Sequence, residues 1–494
     1  MIPSMLYSTG LALLAAAHAV VAAKCPINMN LTGHIDPDQV MSFVYEPIEV
    51  PAGVSSISAS YSYSLKGQGN ALDIGIFDQR GTDMADLKNG TFGARGWSGG
   101  FRDSFTITNS WATPGYNPGP IAPGTWYIVW GPYSSAPEGI DWNLNIRMNF
   151  NKTEADEWFS PAYAATSLDP TPFWSVDEQQ WQHEPEPRWL RGDFHLHTVH
   201  SDGRYLPEEQ VANALERKLD FIFFTEHNTY SHNDVAGLHQ PEDGQGLLIG
   251  RGIEVTTRHG HWNAIGLDRA QNIDWRYHPE DGDSGYPAAA AQVHRAGGLV
   301  SVCHPFALCG RCDWGLDWDN NDAIEVWNGP WDATDERAVT FWHDALVEGR
   351  RYAAIGGSDA HRDPDVTGMP TTVVLSRAYT QAAIVDGARR GYAYLVKEPE
   401  MTMDLTVGDF HVGQTVKADA LAGDAKINLE VAGFGTNATV VSWISAAGYG
   451  RNVTIEKDEE TFTYSVGDVD SFVRVEVRDG DGNILGLTNP IFFS

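Results

Sequence analysis

The chain has 494 residues, 33 basic against 65 acidic, for a formal net charge of -32; 42% are hydrophobic and 11% aromatic, including 17 Trp. Such a composition excludes a chain dominated by disorder, and its length predicts two to four domains. The negative field, with no local basic patch to reverse it, argues against nucleic acid or an anionic membrane as partner and leaves a small-molecule substrate.

The first segment, residues 1–23, reads as a signal peptide: Leu11 to Ala23 is an apolar run too short to span a bilayer, with small residues at Val21 and Ala23 that place cleavage before Lys24. No later stretch resembles a membrane span, so no anchor is expected after cleavage, and the protein is expected to be secreted. Sequons at Asn30, Asn89, Asn151, Asn437 and Asn452 point the same way and lie outside the central third. Four cysteines are too few to be the main source of stability. Cys309 and Cys312 read as a redox pair, half a zinc site or a small loop disulfide; with no second Cys pair, the disulfide is favoured. Cys303, in an apolar run, reads as a buried strand residue.

Residues 24–150 show short alternating stretches, such as Ser56 to Leu65 and Ala71 to Phe77, punctuated by Gly and Pro, and predict an antiparallel β-sandwich. Residues 151–187, rich in Pro, Trp and acidic side chains, read as a linker. From 188 to 400 apolar runs alternate with helical patterns, as in DFHLHT, PEEQVANALERKL and DFIFFTEHN, the grammar of an α/β layer or barrel. Residues 401–494 return to alternation and predict a second, smaller β-domain.

The chemistry sits where the central strands end. On a strand, the period of two points His195 and His197 to one face. His227, Glu254, His304, Asp359 and His361 then follow successive apolar runs. A lone buried His is usually a hydrogen-bonded core residue, and H-x-H alone is weak, but recurrence at strand ends, where α/β barrels assemble their sites, indicates a metal centre. Imidazoles with carboxylates suit Zn, Mn or Fe rather than Mg or Ca.

These residues resemble the PHP metallohydrolases, named for polymerase and histidinol phosphatase. The matching motifs are H-L-H-T-x-x-S-D-G from His195 to Gly203, T-E-H-N from Thr225, G-I-E-V-T and G-H-W-N-A-I-G between Gly252 and Gly266, H-P at His304, and S-D-A-H from Ser358. E-V-T-T-x-x-G-H-W-N and V-W-N-G-P, from Val326 to Pro330, resemble the carbaryl-hydrolase-like branch. The resemblance implies a distorted (β/α)7 barrel, flanked here by the two β-sandwich-like domains, and two or three divalent transition metals. It implies that His195 and His197 bind one metal, that Glu254 bridges and that Asp359 completes that site. Asp202, His227 and His261 would build the neighbouring sites, with His304 and His361 filling the remaining positions and, where a metal leaves them free, giving acid–base help. T-E-H in place of the commoner T-D-H keeps His227 and touches only its surroundings. His259 and Arg362 are left out of the set. The implied activity is hydrolysis by metal-activated hydroxide, with a phosphoester as the first substrate class and a carbamate, ester or amide as the second. A degenerate barrel that only binds is disfavoured because no ligand position is missing.

Overall fold

The computed structural model describes residues 25–84, 93–150, 187–239, 241, 246–417, 425–435, 440–466 and 471–494. The leader with its cleavage site, nearly all of the linker, and the sequons at Asn89, Asn151 and Asn437 lie outside the described residues. Asn30 and Asn452 are exposed.

Eight strands form the N-terminal unit: β1 (Ile27–Ile35), β2 (Val44–Val50), β3 (Ser56–Tyr63), β4 (Ala71–Phe77), β5 (Ala94–Trp97), β6 (Ser104–Thr108), β7 (Gly124–Ser134) and β8 (Ile140–Asn149). They pair antiparallel in two sheets, ordered β1-β8-β3-β6 and β2-β7-β4-β5. Period-two alternation builds the core between them: Ile57, Ala59 and Tyr61 of β3, with Leu144 of the neighbouring β8, face Ile74 of β4 and Trp126 and Trp130 of β7 in one buried cluster. β7 is apolar almost throughout because both of its faces are covered. Trp126, Ile128 and Trp130 enter the sandwich core, while Val129, with Phe77, Ala94 and Trp97, packs outward against Ile253, Trp262 and Trp275 of the central unit.

The central unit runs β9 (Arg188–Leu196), α1 (Pro207–Glu216), β10 (Phe221–Phe224), α2 (Ser231–His239), β11 (Leu248–Thr257), β12 (Gly260–Ile265), α3 (Tyr286–Arg295), β13 (Leu299–Val302), β14 (Ala323–Asn328), α4 (Ala333–Val347), β15 (Ala353–Gly357), β16 (Thr371–Ser376), α5 (Gln381–Arg389) and β17 (Ala393–Val396). Helix starts follow local chemistry. Pro207 opens α1 with two glutamates in its first turn, and Asp332 caps α4 by accepting from the amides of Thr334 and Asp335. Strands β9, β10 and β11 are parallel, as are β13, β14 and β15, whereas β12 is antiparallel to both of its neighbours.

The fold is thus mixed α/β, with a curled sheet at its centre. Among the described residues five α-helices serve these nine strands, because β11 turns directly into β12 and no α-helix lies between β13 and β14 or between β15 and β16. The curl brings the end of β15 back to β9: the amide of Asp359 donates to the carbonyl of His195 at 2.9 Å, and that of His197 to Ala360 at 3.2 Å. A glycine is required there, since a Cβ on Gly357 would lie 2.3 Å from that of His195.

The C-terminal segment adds β18 (Thr402–Val407), β19 (Phe410–His411), β20 (Thr415–Val416), β21 (Lys426–Ala432), β22 (Val440–Ser445), β23 (Gly448–Thr454), β24 (Glu459–Ser465), β25 (Phe472–Arg478), β26 (Ile484–Thr488) and β27 (Ile491–Phe493). One sheet of this segment, β19-β18-β21-β24, stands apart. The other continues the central sheet, because β26 pairs with β17 and is followed by β25, β22 and β23. Val373, Tyr394 and Val396 accordingly share a core with Met403, Leu405 and Val475. Among the described residues no helix is long and apolar enough to cross a membrane.

Candidate metal centre

The curl gathers the nine residues singled out in the sequence at one end of the central sheet. His195 and His197 project from the end of β9 on the same side, as alternation requires, with their Nε2 atoms 3.1 Å apart and both rings fully buried. Glu254, 1% exposed, lies between the histidines. Its Oε2 is 3.3 Å from His195 Nε2, 3.2 Å from His197 Nε2 and 3.0 Å from His227 Nδ1. Its Oε1 is 2.8 Å from His261 Nδ1 and 3.2 Å from His304 Nε2. Asp359 Oδ1 lies 3.3 Å from His195 and 3.1 Å from His197, and Asp202 Oδ1 lies 3.1 Å from His361 and 3.4 Å from His227.

The donor atoms fall into three overlapping groups that each suit one cation: His195, His197, Glu254 and Asp359; His197, Asp202, His227 and His361; and His227, Glu254 and His261. His304 joins through Glu254. Within the cluster, Glu254 Oε2, Asp202 Oδ1 and Asp359 Oδ1 are buried and lack a hydrogen bond of proper geometry. Carboxylate oxygens buried among imidazole nitrogens without a hydrogen bond of their own are groups a cation satisfies, so the donor set fits divalent metals.

Local backbone geometry helps to place these side chains. Asn228, His304 and Asp359 have φ of 55°, 27° and 51°, a region unfavourable for side-chain-bearing residues and held by the packed strand ends. Cys309 and Cys312 are disulfide-bonded, closing a short loop beside His261 and His304, and Cys303 is buried at the end of β13.

Sequence reasoning passed over Glu325. It lies on β14, 2% exposed, with Oε1 2.9 Å from His195 Nδ1, while its Oε2 accepts from the His304 amide at 3.0 Å and from Asn328 at 3.0 Å. It orients one ligand ring and the backbone of another. The available signal was an acidic residue inside the apolar run AIEVWN, the same oddity that marked Glu254 in GIEVT. Asp193 works on the backbone: its Oδ1 accepts from the amides of His195 and Ser358, each at 3.0 Å, and its Oδ2 from Gly368 at 2.7 Å. Glu226, the departure in T-E-H, accepts from Thr198 and Ser201 and so braces the turn after β9. His259 faces His278 at 3.1 Å, apart from the nine, and Arg362 is exposed.

The side chains of the centre shift one another's protonation. Burial opposes protonation of His227, yet Glu254 and Asp202 raise it to about 9. Burial likewise opposes protonation of His361, which Asp359 and Asp202 raise to about 10. Glu254 and Asp359 are buried, which favours the neutral acid, but the surrounding imidazoles pull both well below the usual carboxylate range. At pH 7 His227 and His361 therefore carry protons that a bound cation would displace. Metal binding is expected to release protons, and apparent affinity to rise with pH from 7 through about 9 and about 10 as His227 and His361 lose theirs. Calorimetric titration in two buffers of different ionisation enthalpy measures the release. Identical heats in both would contradict it.

No protein-family model matches the chain, and no curated protein matches it by sequence. Among solved structures it is similar to a two-domain protein containing a predicted PHP-like metal-dependent phosphoesterase from Bacteroides vulgatus, at 19% identity and TM-score 0.37, over 63% of this chain and 98% of that one. It is also similar to a candidate metal-dependent phosphoesterase from Bifidobacterium adolescentis, at 21% identity and TM-score 0.26, over 36% of this chain and 90% of that one. A third likeness is to an amidohydrolase from Chromobacterium violaceum, at 20% identity and TM-score 0.27, over 36% of this chain and 89% of that one.

Proposed function

We propose that the chain is a metal-dependent hydrolase of the PHP type, with the curled sheet as its distorted (β/α)7 barrel, acting as a phosphoesterase at a centre for two or three divalent transition metals. The observation that carries this reading is Glu254, one buried carboxylate whose two oxygens reach five imidazoles from four chain segments. A purely structural core has no use for so much clustered, costly charge.

Bound divalent cations supply Lewis acidity and activate water near neutral pH. The protein supplies the rest. Glu254 and Asp359 hold the donors at fixed separations, and Glu325 fixes the orientation of His195. Asp202, His227 and His261 line a cavity of about 400 Å³, the size of a small-molecule site and too small for a folded nucleic acid. His304 and His361 are the candidates to hold or move a proton where a cation leaves a ring nitrogen free.

A second reading, cleavage of a carbamate, ester or amide at the same centre, is favoured by the apolar side of that cavity and by the carbaryl-hydrolase-like motifs. Inhibition by inorganic phosphate and vanadate, with turnover of phosphoesters, is the expected outcome. Indifference to both anions, with far faster turnover of an aryl carbamate, would transfer the reading to carbonyl chemistry, and no turnover of either class would leave only binding.

We further propose export after cleavage before Lys24, supported by the apolar leader and by the exposure of Asn30 and Asn452. Intact-mass and N-terminal analysis of native protein is expected to show a chain beginning near Lys24. An uncleaved Met1 would refute it.

A further inference from the structure

One metal-ligating atom beside the centre is tied up elsewhere. A nitrogen of His261, a nitrogen of His304 and Sγ of Cys312 lie within 4.8 Å of one another, close enough to share one cation. Cys312, 3% exposed, has its sulfur engaged in the disulfide to Cys309. Each of the two rings turns one nitrogen to Glu254, His261 through Nδ1 and His304 through Nε2, and keeps a second. His304 Nδ1 is buried without a hydrogen-bond partner among the described residues.

Other contacts hold the loop in place besides the S–S bond. The Tyr133 hydroxyl donates to the Gly310 carbonyl, and the Arg311 guanidinium lies 5.0 Å from the centre of the Tyr133 ring. The amides of Ala307, Trp314 and Gly315 donate to the carbonyls of His304 at 2.9 Å, Pro305 at 3.3 Å and His259 at 2.9 Å. Opening the disulfide therefore leaves Cys312 beside the two histidines.

The two sulfurs differ in access. Cys309 is exposed and follows Leu308, which is 87% exposed, whereas Cys312 is buried. A thiolate from solution attacks the sulfur it can reach, so the S–S bond breaks with Cys309 joined to the incoming thiol and the electron pair leaving on Cys312. The second thiol of a dithiol then attacks that mixed disulfide, closes to a cyclic disulfide and frees Cys309 as a thiol. The dithiol gives up two electrons and two protons, and the cysteine pair takes them. A cation that engages Cys312 displaces its proton to solvent.

We propose that the Cys309–Cys312 disulfide is a redox latch on the metal centre, and that on reduction Cys312 joins His261 and His304 as a sulfur ligand for a thiophilic cation such as zinc, cadmium or cobalt. In the oxidised chain that end of the centre is left with nitrogen and oxygen donors. A thiolate shifts a site toward soft cations, so the state of the loop sets which metal is held there. This rests on the reading of the cluster as a metal centre.

The test uses cobalt(II) and the full-length protein. Cys309→Ser leaves Cys312 as a free thiol without any reductant, and is expected to add a sulfur-to-cobalt charge-transfer absorption in the near ultraviolet to the spectrum of the oxidised protein. Wild-type protein reduced by a dithiol and then separated from it is expected to show the same gain, which covers a folding defect in the variant. The gain is expected to vanish when Cys309→Ser is combined with Cys312→Ser, although Cys25 and Cys303 remain as free thiols. The Kd for cadmium is expected to fall about tenfold or more in Cys309→Ser, with that for manganese little changed. With a limiting monothiol, peptide mass mapping is expected to find the adduct on Cys309, and an adduct on Cys312 would overturn the route by which Cys312 is released. Cobalt bound with no added absorption in either reduced form, or absorption that persists in the double variant, overturns the latch and leaves the metal centre standing. No cobalt bound by any form sinks the metal-centre reading, and the latch with it.

Discussion

Glu254→Gln is expected to lower kcat/KM on the order of 10³-fold or more and to leave the protein short of its metal complement. The substitution keeps the shape of the side chain and removes the negative charge shared by His195, His197, His227, His261 and His304. An amide also presents an N–H₂ group to part of this ring of nitrogens, so one side of the centre meets a donor where it needs an acceptor. Loss at a buried carboxylate within reach of five candidate ligand rings is expected to exceed the 10- to 100-fold typical of a residue that only orients a ligand. Elemental analysis alongside steady-state kinetics measures both effects. Full metal content and unchanged turnover in Glu254→Gln would remove Glu254 from the proposed metal centre.

Chelation is expected to abolish hydrolysis and to destabilise the central unit together. A cation bound only by the folded chain stabilises it by about 4 kcal/mol at a free concentration 1,000 times its Kd, so loss of even one ion from such a site lowers the unfolding temperature by roughly 10 °C for a unit of this size. The carboxylates left behind keep their counter-charge only while the imidazoles remain protonated, so the metal-free protein loses this contribution as pH rises through about 9, where His227 titrates. Thermal unfolding with and without chelator, then with Mn or Zn restored, measures both the shift and its reversal. The same unfolding temperature and full turnover in strong chelator would refute the metal centre.

What could be read from the sequence was local and periodic. The alternation in Ser56–Tyr63 specifies a half-buried strand, and H-L-H places two rings on one side of β9, because both depend on the geometry of a few adjacent residues. His195, His197, His227, Glu254, His304, Asp359 and His361 were legible because they lie in or just after apolar runs, and strand ends converge in a curled sheet, whereas Asp202 and His261 were reached only through the motif resemblance. Glu325 was harder, since a single acid in AIEVWN shows its purpose only when β14 is set beside β9, 130 residues from His195. The left-handed backbone at Asn228, His304 and Asp359 has only a weak compositional signature, since Asn, His and Asp enter that region more often than other side chains but at few of their positions. Likewise, nothing local announces that β7 covers two cores or that Asp73 of the sandwich pairs with Arg258 of the central unit. Such pairings are decided by tertiary packing, which leaves no period in the chain.

The hydrogen-bonded run from β17 into β26 means that the C-terminal segment is not a detachable module. A chain ended after Glu400 would present β17 as a bare edge, with unpaired backbone groups along Tyr394, Leu395 and Val396, and would uncover the apolar faces of Val373 and Tyr394. Bare edges of that kind recruit strands from neighbouring molecules. Any shortened or shuffled version of this protein must therefore carry residues 484–488 with it, and exchange of its flanking parts by recombination is constrained at this seam to junctions that preserve the pairing of Tyr394 with Thr488 and of Leu395 with Leu487.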